Sequence, residues 1–460
     1  MTASACSSDA IKVAVRLRPA LDSTEQSLIS ISGQHVSIAN PSKEAKNFAF
    51  DRCFHSEKNP LLYNQFGKQF LDHAFEGYNA CILAYGQTSS GKSHTMVGTS
   101  QDPGIIPLVC GDIFQRIAGL EQSSDGKTFT IRVSFCEIYN EQIRDLLTDS
   151  KAGAKLKIKE GPDGNFVNGL SEVLVKSADQ ATKCLTDGIG RRATAATKAN
   201  SSSSRSHAVF SFQIRQLSCN EEGTEEVVSC LQLVDLAGSE RANATGAQGD
   251  RLKEGSNINK SLVTLGRVIS TLASADSAQG KVVVPYRDSI LTRLLQNSLG
   301  GNSKTAMIAC LCPTSYEQSL STLRYADHAK HITTKASINH DIITAADADE
   351  RIKKLQQELT ALQEKLDLTE DQPKVHYALR AYQEHTSAVE ARCKWLEAQY
   401  KAARTHNELL SDYLRELQDS NASGLSSGRQ TLAVMHVNVQ QAASQNESLK
   451  RKWTDIYNTL

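Results

Sequence analysis

Residues 86–93 read Gly-Gln-Thr-Ser-Ser-Gly-Lys-Ser, the full G-x-x-x-x-G-K-[ST] pattern. With this spacing Gly86 and Gly91 let the backbone N–H groups of Gln87, Thr88, Ser89 and Ser90 converge on phosphate oxygens. Lys92 can then reach the β- and γ-phosphates of a nucleotide, and the Ser93 hydroxyl can ligate Mg²⁺. A helix starting here adds the positive potential of its N-terminus. An incidental glycine-rich turn would have the same glycines. It would not need the apolar run ACILAY (80–85) before them or the polar helix start after them.

Two later segments carry complementary chemistry. NSSSSRSH spans 200–207, and DLAGSE spans 235–240 directly after the apolar run 231–234. Taken singly, they read as a serine-rich loop and a strand-end turn. In this order behind a phosphate loop, they no longer read as incidental and point beyond nucleotide binding alone. An ion pair between Arg205 and Glu240 could form only when both loops approach, so it would report the state of the nucleotide.

These groups need a rigid frame, and the chain supplies its pattern. Short apolar runs at 11–17, 80–85, 130–138, 208–214, 227–236 and 305–312 predict strands, and 179–196 and 257–273 predict helices. Interleaved strands and helices predict an α/β domain with a central, mostly parallel mixed sheet flanked by helices. Of 27 glycines only Gly424 and Gly428 lie beyond Gly301, and of nine prolines only Pro373 lies beyond Pro313. Turn formers thus crowd the first two-thirds, and the remainder can run as long helices. Ile352, Leu355, Leu359, Leu362 and Leu366 follow a 3,4 spacing, a short heptad compatible with a dimeric coil or with an intramolecular helix. NASGLSSG at 421–428 predicts a flexible link, and 430–460 a further helical segment.

Composition narrows the class. The 460 residues carry 51 basic and 51 acidic side chains, are 40% hydrophobic, and contain no apolar run of eighteen. That is globular composition, with no expectation of a membrane span, and bulk electrostatics give no reason to expect nucleic-acid binding. The first ten residues lack the basic and apolar stretches of a secretory signal. Eleven scattered cysteines without a Cys-x-x-Cys pair predict buried thiols in a reducing, cytoplasmic setting.

The ordered motifs VAVRLRP (13–19), AYGQTSSGKSHTM (84–96), EIYNEQIRDLL (137–147), NSSSSRSH, LVDLAGSER (233–241), LKEGSNINKSL (252–262), VPYRDS (284–289) and LSTLRYADHAK (320–330) resemble a kinesin motor domain. The resemblance runs from about Ile11 to Asn339. It implies a motor domain at 1–330, a neck linker at 331–345 and a helical neck at 346–420, with the flexible link at 421–429. It further implies microtubule-stimulated ATP hydrolysis and plus-end movement in a cytoplasmic, cytoskeletal setting. The alternative within the family is a non-motile or depolymerising binder that uses nucleotide as a switch. A GTPase or small-molecule kinase is disfavoured, since Asn259-Lys-Ser-Leu262 is not the NKxD base-reading motif.

Residue by residue, the resemblance assigns Asp235 to Mg²⁺ through water and the Gly238 N–H to the γ-phosphate. It pairs Glu240 with Arg205, and sets Ser203 and Ser204 at the lytic water and the metal. Arg16, Arg18, Pro19 and His94 match the base-side pocket, and Asn259 matches an asparagine near the closed switches; His94 read alone is an ordinary polar helix residue. Lys253, Lys260, Lys281, Arg287 and Arg293 fall on segments matching microtubule-facing elements, and the 352–366 heptad suggests a homodimer. Ile332 and Asn339 match the linker's packing isoleucine and latching asparagine. Ile290 and SLSTLRYADHAK lean toward the third kinesin family, although Ser274–Val284 holds a single lysine where that family has a lysine-rich insert.

Overall fold

Strand Ala80–Tyr85 is buried at every position, which explains its unbroken apolar sequence: it is covered on both faces. The computed structural model describes residues 7–20, 26–40, 43–122, 127–148, 156–161, 164–197, 204–220, 223–240, 250–275 and 283–343. The chain divides into two units, Met1–Ile343 and Thr344–Leu460, and the fold below is that of the first. The heptad at 352–366, the link at 421–429 and the segment 430–460 lie outside the described residues.

The elements used below are β1 (Ser7–Ala10), β2 (Lys12–Leu17), β3 (Arg52–His55), β4 (Ala80–Tyr85), β5 (Thr128–Tyr139), β6 (Val173–Val175), β7 (His207–Asn220), β8 (Gly223–Asp235), β9 (Lys304–Leu311), β10 (Thr333–Ala336) and β11 (His340–Ile343). The helices are α1 (Lys92–Met96), α2 (Ala178–Thr197), α3 (Asp250–Ala275) and α4 (Tyr316–Ala329). The central sheet runs β6-β5-β7-β8-β4-β9-β2-β3, with β11 added to β8.

The expected mostly parallel sheet is corrected to a half-and-half one. The pairs from β8 to β3 are parallel, whereas β6, β5, β7 and β8 pair antiparallel. For β7 and β8 the reason is local: Asn220 faces Gly223 near the end of a long hairpin, and a hairpin can only be antiparallel.

Period-2 alternation along the central strands divides the core into two layers. Val13, Val15, Leu83, Met307 and Ala309 meet Leu265 and Ile269 of α3 and Leu323 and Ala326 of α4 on one face. Ala14, Ile82, Ala84 and Ile308 meet Phe66, Phe70 and Ile113 on the other. Cys310 and Cys312 are both buried free thiols, as their apolar run predicted.

After α4 the chain returns along the sheet. Ile332 is fully buried, and β10 pairs antiparallel with β1. The Asn339 amide donates to Asn79 Oδ1 at 3.0 Å and to the Val228 carbonyl at 2.9 Å, and accepts from Asn302 Nδ2 at 3.0 Å. Lys304, stacked over the Tyr78 ring, pairs with Asp9 of β1. Residues 332–343 are thus laid along the domain edge by backbone pairing and amide hydrogen bonds.

Candidate active site

Four segments converge at the C-terminal ends of β4, β8 and β9, where a parallel sheet opens its ligand crevice. The phosphate loop leaves β4 at Gly86, whose φ is +148°, and a Cβ there would lie 2.2 Å from the Cys310 carbonyl oxygen. Only glycine meets both demands. Gly91 caps α1 with φ +99°, and a Cβ there would meet only Arg18 Cβ at 4.0 Å, so the backbone angle rather than crowding favours glycine.

Lys92 is buried, and its ammonium donates to the Gly86 and Gln87 carbonyls at 2.9 and 2.8 Å. Burial pushes its pKa down and Asp235 opposes that shift. The Ser90 hydroxyl and Gln87 Oε1 are buried without hydrogen-bond partners, as expected of a loop shaped around polar ligand atoms. Ser93 donates to Asp235 Oδ2 at 2.7 Å, while Asp235 Oδ1 is buried and unpartnered. A hydroxyl and a carboxylate oxygen in contact suit a hard divalent cation. Among the described residues no cluster of three or more His, Cys, Asp or Glu could hold a metal alone. The remaining ligands of such a cation would come from phosphate oxygens or water.

The 235–240 loop closes against the phosphate loop and Ser204. The Gly238 N–H donates to the Ser204 carbonyl at 2.9 Å, and the Ser239 N–H to the Gly86 carbonyl at 3.1 Å. For Glu240 the structure differs from the expected contact with Arg205. Its Oε2 accepts from the Thr88 N–H at 2.8 Å and its Oε1 from the Thr88 hydroxyl. The loop is therefore tied to the phosphate loop itself, because Thr88 presents two donors to one carboxylate. Arg205 is half-buried, and Ser203 and the Asn259 side chain lie outside the described residues.

The base-side group divides. Arg16 is buried and its guanidinium is committed to Asn59, to Thr95 Oγ1 at 2.8 Å and to the Glu57 carbonyl at 3.0 Å. It builds the pocket wall rather than offering a free edge. Arg18 is half-buried, bonding the Pro19 carbonyl and Cys312 Sγ, and His94 is exposed, 3.5 Å from Asp102.

Two residues beyond the sequence assignments complete the site. Arg192 of α2 is buried, 3.4 Å from Asp235 and 3.5 Å from Glu137, and donates to the Ser206 carbonyl at 3.0 Å. The signal for it was helical phase. Ala181, Leu185, Gly188 and Arg192 share the buried face of α2, where a cation needs a partner.

His207 is the other. The Ala237 N–H donates to its Nδ1 at 3.0 Å, so Nε2 carries the proton and donates to Ser261, 2.8 Å away. Burial, aided by Arg192 and Lys92, pushes the imidazole down to about 3 from 6.5. The unfolded chain therefore takes up a proton first as pH falls. Stability contributed by His207 is complete above pH 6.5 and declines below it toward pH 3, by about 1.4 kcal/mol per unit. Urea midpoints between about pH 7 and pH 5 should flatten in His207→Gln, which does not titrate; an unchanged slope refutes the assignment.

A family profile for the kinesin motor domain matches residues 16–332. Human KIF13B is 46% identical over 381 residues, covering 76% of this chain and 21% of that protein. Rat KIF1A is 45% identical over 387 residues, covering 77% and 22%. Both agree with the lean toward the third kinesin family. The chain thus spans about a fifth of the length of these relatives. Among solved structures, the KIF14 dimer in its two-heads-bound AMP-PNP state on a microtubule is similar with a TM-score of 0.67 and 40% identity. That match covers 74% of this chain and 99% of the KIF14 chain. With the phosphate loop, the two facing segments and the family match in agreement over the same residues, this chain belongs to the kinesin family.

Proposed function

We propose that the protein hydrolyses ATP to ADP and phosphate, that microtubules stimulate the reaction, and that it moves along them toward the plus end. The observation that carries this reading is the junction of the 235–240 loop with the phosphate loop through Thr88 and Gly86. A γ-phosphate placed there would lie beside Lys92 and would take the Gly238 N–H from the Ser204 carbonyl. Mg²⁺ would be held by Ser93 directly and by Asp235 and Ser204 through water, neutralising charge on the β- and γ-oxygens. Lys92 would exchange its two carbonyl partners for phosphate. Glu240 would leave Thr88 for Arg205 as the loops close, ordering the attacking water with Ser203.

Residues 332–343 act as the neck linker in this reading, with Asn339 as its latch. Two observations favour a polymer-facing side near α3. Lys260 is exposed, and Arg287 is exposed while paired with Glu160 at 3.1 Å. Arg293 is half-buried, directed toward the Ile158 carbonyl, so its contribution is to hold the β-hairpin 157–168. The Lys253 side chain and Lys281 lie outside the described residues. Dimerisation through 352–366 completes the proposal.

The test is steady-state ATPase with and without stabilised microtubules, followed by gliding on polarity-marked filaments. Stimulation that falls steeply with added salt, together with directional gliding, supports the motor. Stimulation without gliding, or filament shortening, supports the switch-like or depolymerising alternative. Slow hydrolysis indifferent to microtubules refutes both polymer-stimulated readings.

A further inference from the structure

Tyr85 and Tyr325 form a contact that the reaction chemistry does not use. Tyr85 closes β4 immediately before Gly86, and its hydroxyl interacts with the Ser239 side chain. Tyr325 lies on α4, the helix that leads into Ile332 and the linker strand β10. The two rings stack with centroids 4.1 Å apart and planes 5° from parallel. Behind them is α3, where a Cβ on Gly266 would come within 3.4 Å of Tyr325 Cε2. The phosphate-loop strand, the Ser239 loop, α3 and α4 therefore meet on one pair of rings.

One feature of this contact is unfavourable. The Tyr325 hydroxyl oxygen is shut off from solvent and has no hydrogen-bond partner, although part of the residue reaches the surface. A buried orphan hydroxyl marks an arrangement that stores strain. Residues 332–343 are docked in this same arrangement, so the strain is present with the linker docked.

We propose that Tyr325 is a positioning residue that holds linker docking near balance: its hydroxyl is unsatisfied when the linker is docked and gains a partner when α4 shifts and the linker leaves. Docking is then conditional on the nucleotide site, because Tyr85 and Ser239 set the other side of the stack. The inference rests on the motor reading, in which nucleotide governs the linker.

Amide hydrogen exchange on the full chain tests it, comparing residues 333–339 with β4 in ADP and in AMP-PNP. Tyr325→Phe keeps the ring and removes only the orphan oxygen. In ADP its linker amides should exchange about tenfold more slowly than in wild type, and the gap between ADP and AMP-PNP should narrow. General stabilisation would instead slow β4 and the linker together and preserve the gap, which overturns the proposal. Unchanged or faster linker exchange overturns it as well. Tyr325→Leu, which removes the stack too, should release the linker in AMP-PNP; a fully protected linker in that variant also counts against the stack. The motor reading is judged separately: wild-type linker exchange indifferent to nucleotide sinks that reading, whereas a silent Tyr325→Phe beside a responsive wild type sinks only this one.

Discussion

Replacing Glu240 by alanine is expected to lower microtubule-stimulated ATP turnover by about 10²–10³-fold, the loss seen when one preorganised polar contact is removed from a closed site. Glu240 is the only carboxylate of the 235–240 loop beyond Asp235, and both of its oxygens are held by Thr88. The substitution frees the loop from the phosphate loop and removes the partner proposed for Arg205. Lys92, Ser93 and Asp235 keep their present contacts, so nucleotide binding should change by less than about threefold while turnover collapses. Single-turnover hydrolysis beside a fluorescent-nucleotide titration separates the two quantities. Weaker nucleotide binding with normal turnover per bound ATP would show that Glu240 merely shapes the pocket.

The second large effect is expected at Arg192. Substitution by methionine fills much of the volume but strands two carboxylates that are almost inaccessible, Glu137 at 1% and Asp235 at 3% exposure. Breaking a buried pair in this way costs about 3–5 kcal/mol, less whatever Arg144, 3.5 Å from Glu137, supplies in compensation. Arg192 also reaches the Ser206 backbone, so the first serine-rich segment loses an anchor together with Asp235. Denaturant midpoints should drop steeply, and nucleotide release should become sensitive to Mg²⁺ concentration at levels where wild type is saturated. A double substitution with Glu137→Gln should recover part of the stability, since it removes one stranded charge. If the single variant unfolds at the wild-type midpoint, Arg192 is not the hub of a buried network.

Much of the frame was legible before any coordinates. Continuous apolar runs announce strands buried on both faces, and ACILAY and the 305–312 run fall within a residue of β4 and β9. The 179–196 helix agrees with α2 within a residue at each end, while α3 begins seven residues before its predicted start. That early start spans LKEGSN, whose polar residues carry no apolar period, so nothing local marks it as helix. Strand direction was missed for a similar reason: alternation specifies which face is buried, not the sense of the neighbour.

The amino-acid sequence by itself determined the phosphate loop, its glycines and the order of the facing segments, because those depend on residue type and short spacing. Gly86 is dictated by a backbone angle and an approaching carbonyl that only glycine tolerates, a requirement the motif already encodes. Partnership was decided by the tertiary structure alone. Glu240 lies against Thr88, 152 positions away, and Arg192 against Asp235, 43 away. His207 holds one tautomer because of Ala237 and Ser261, and Tyr325 of α4 meets Tyr85 at the C-terminal end of β4. Such choices turn on a few tenths of an ångström between side chains brought together by packing, a distance that no local pattern of residue types fixes.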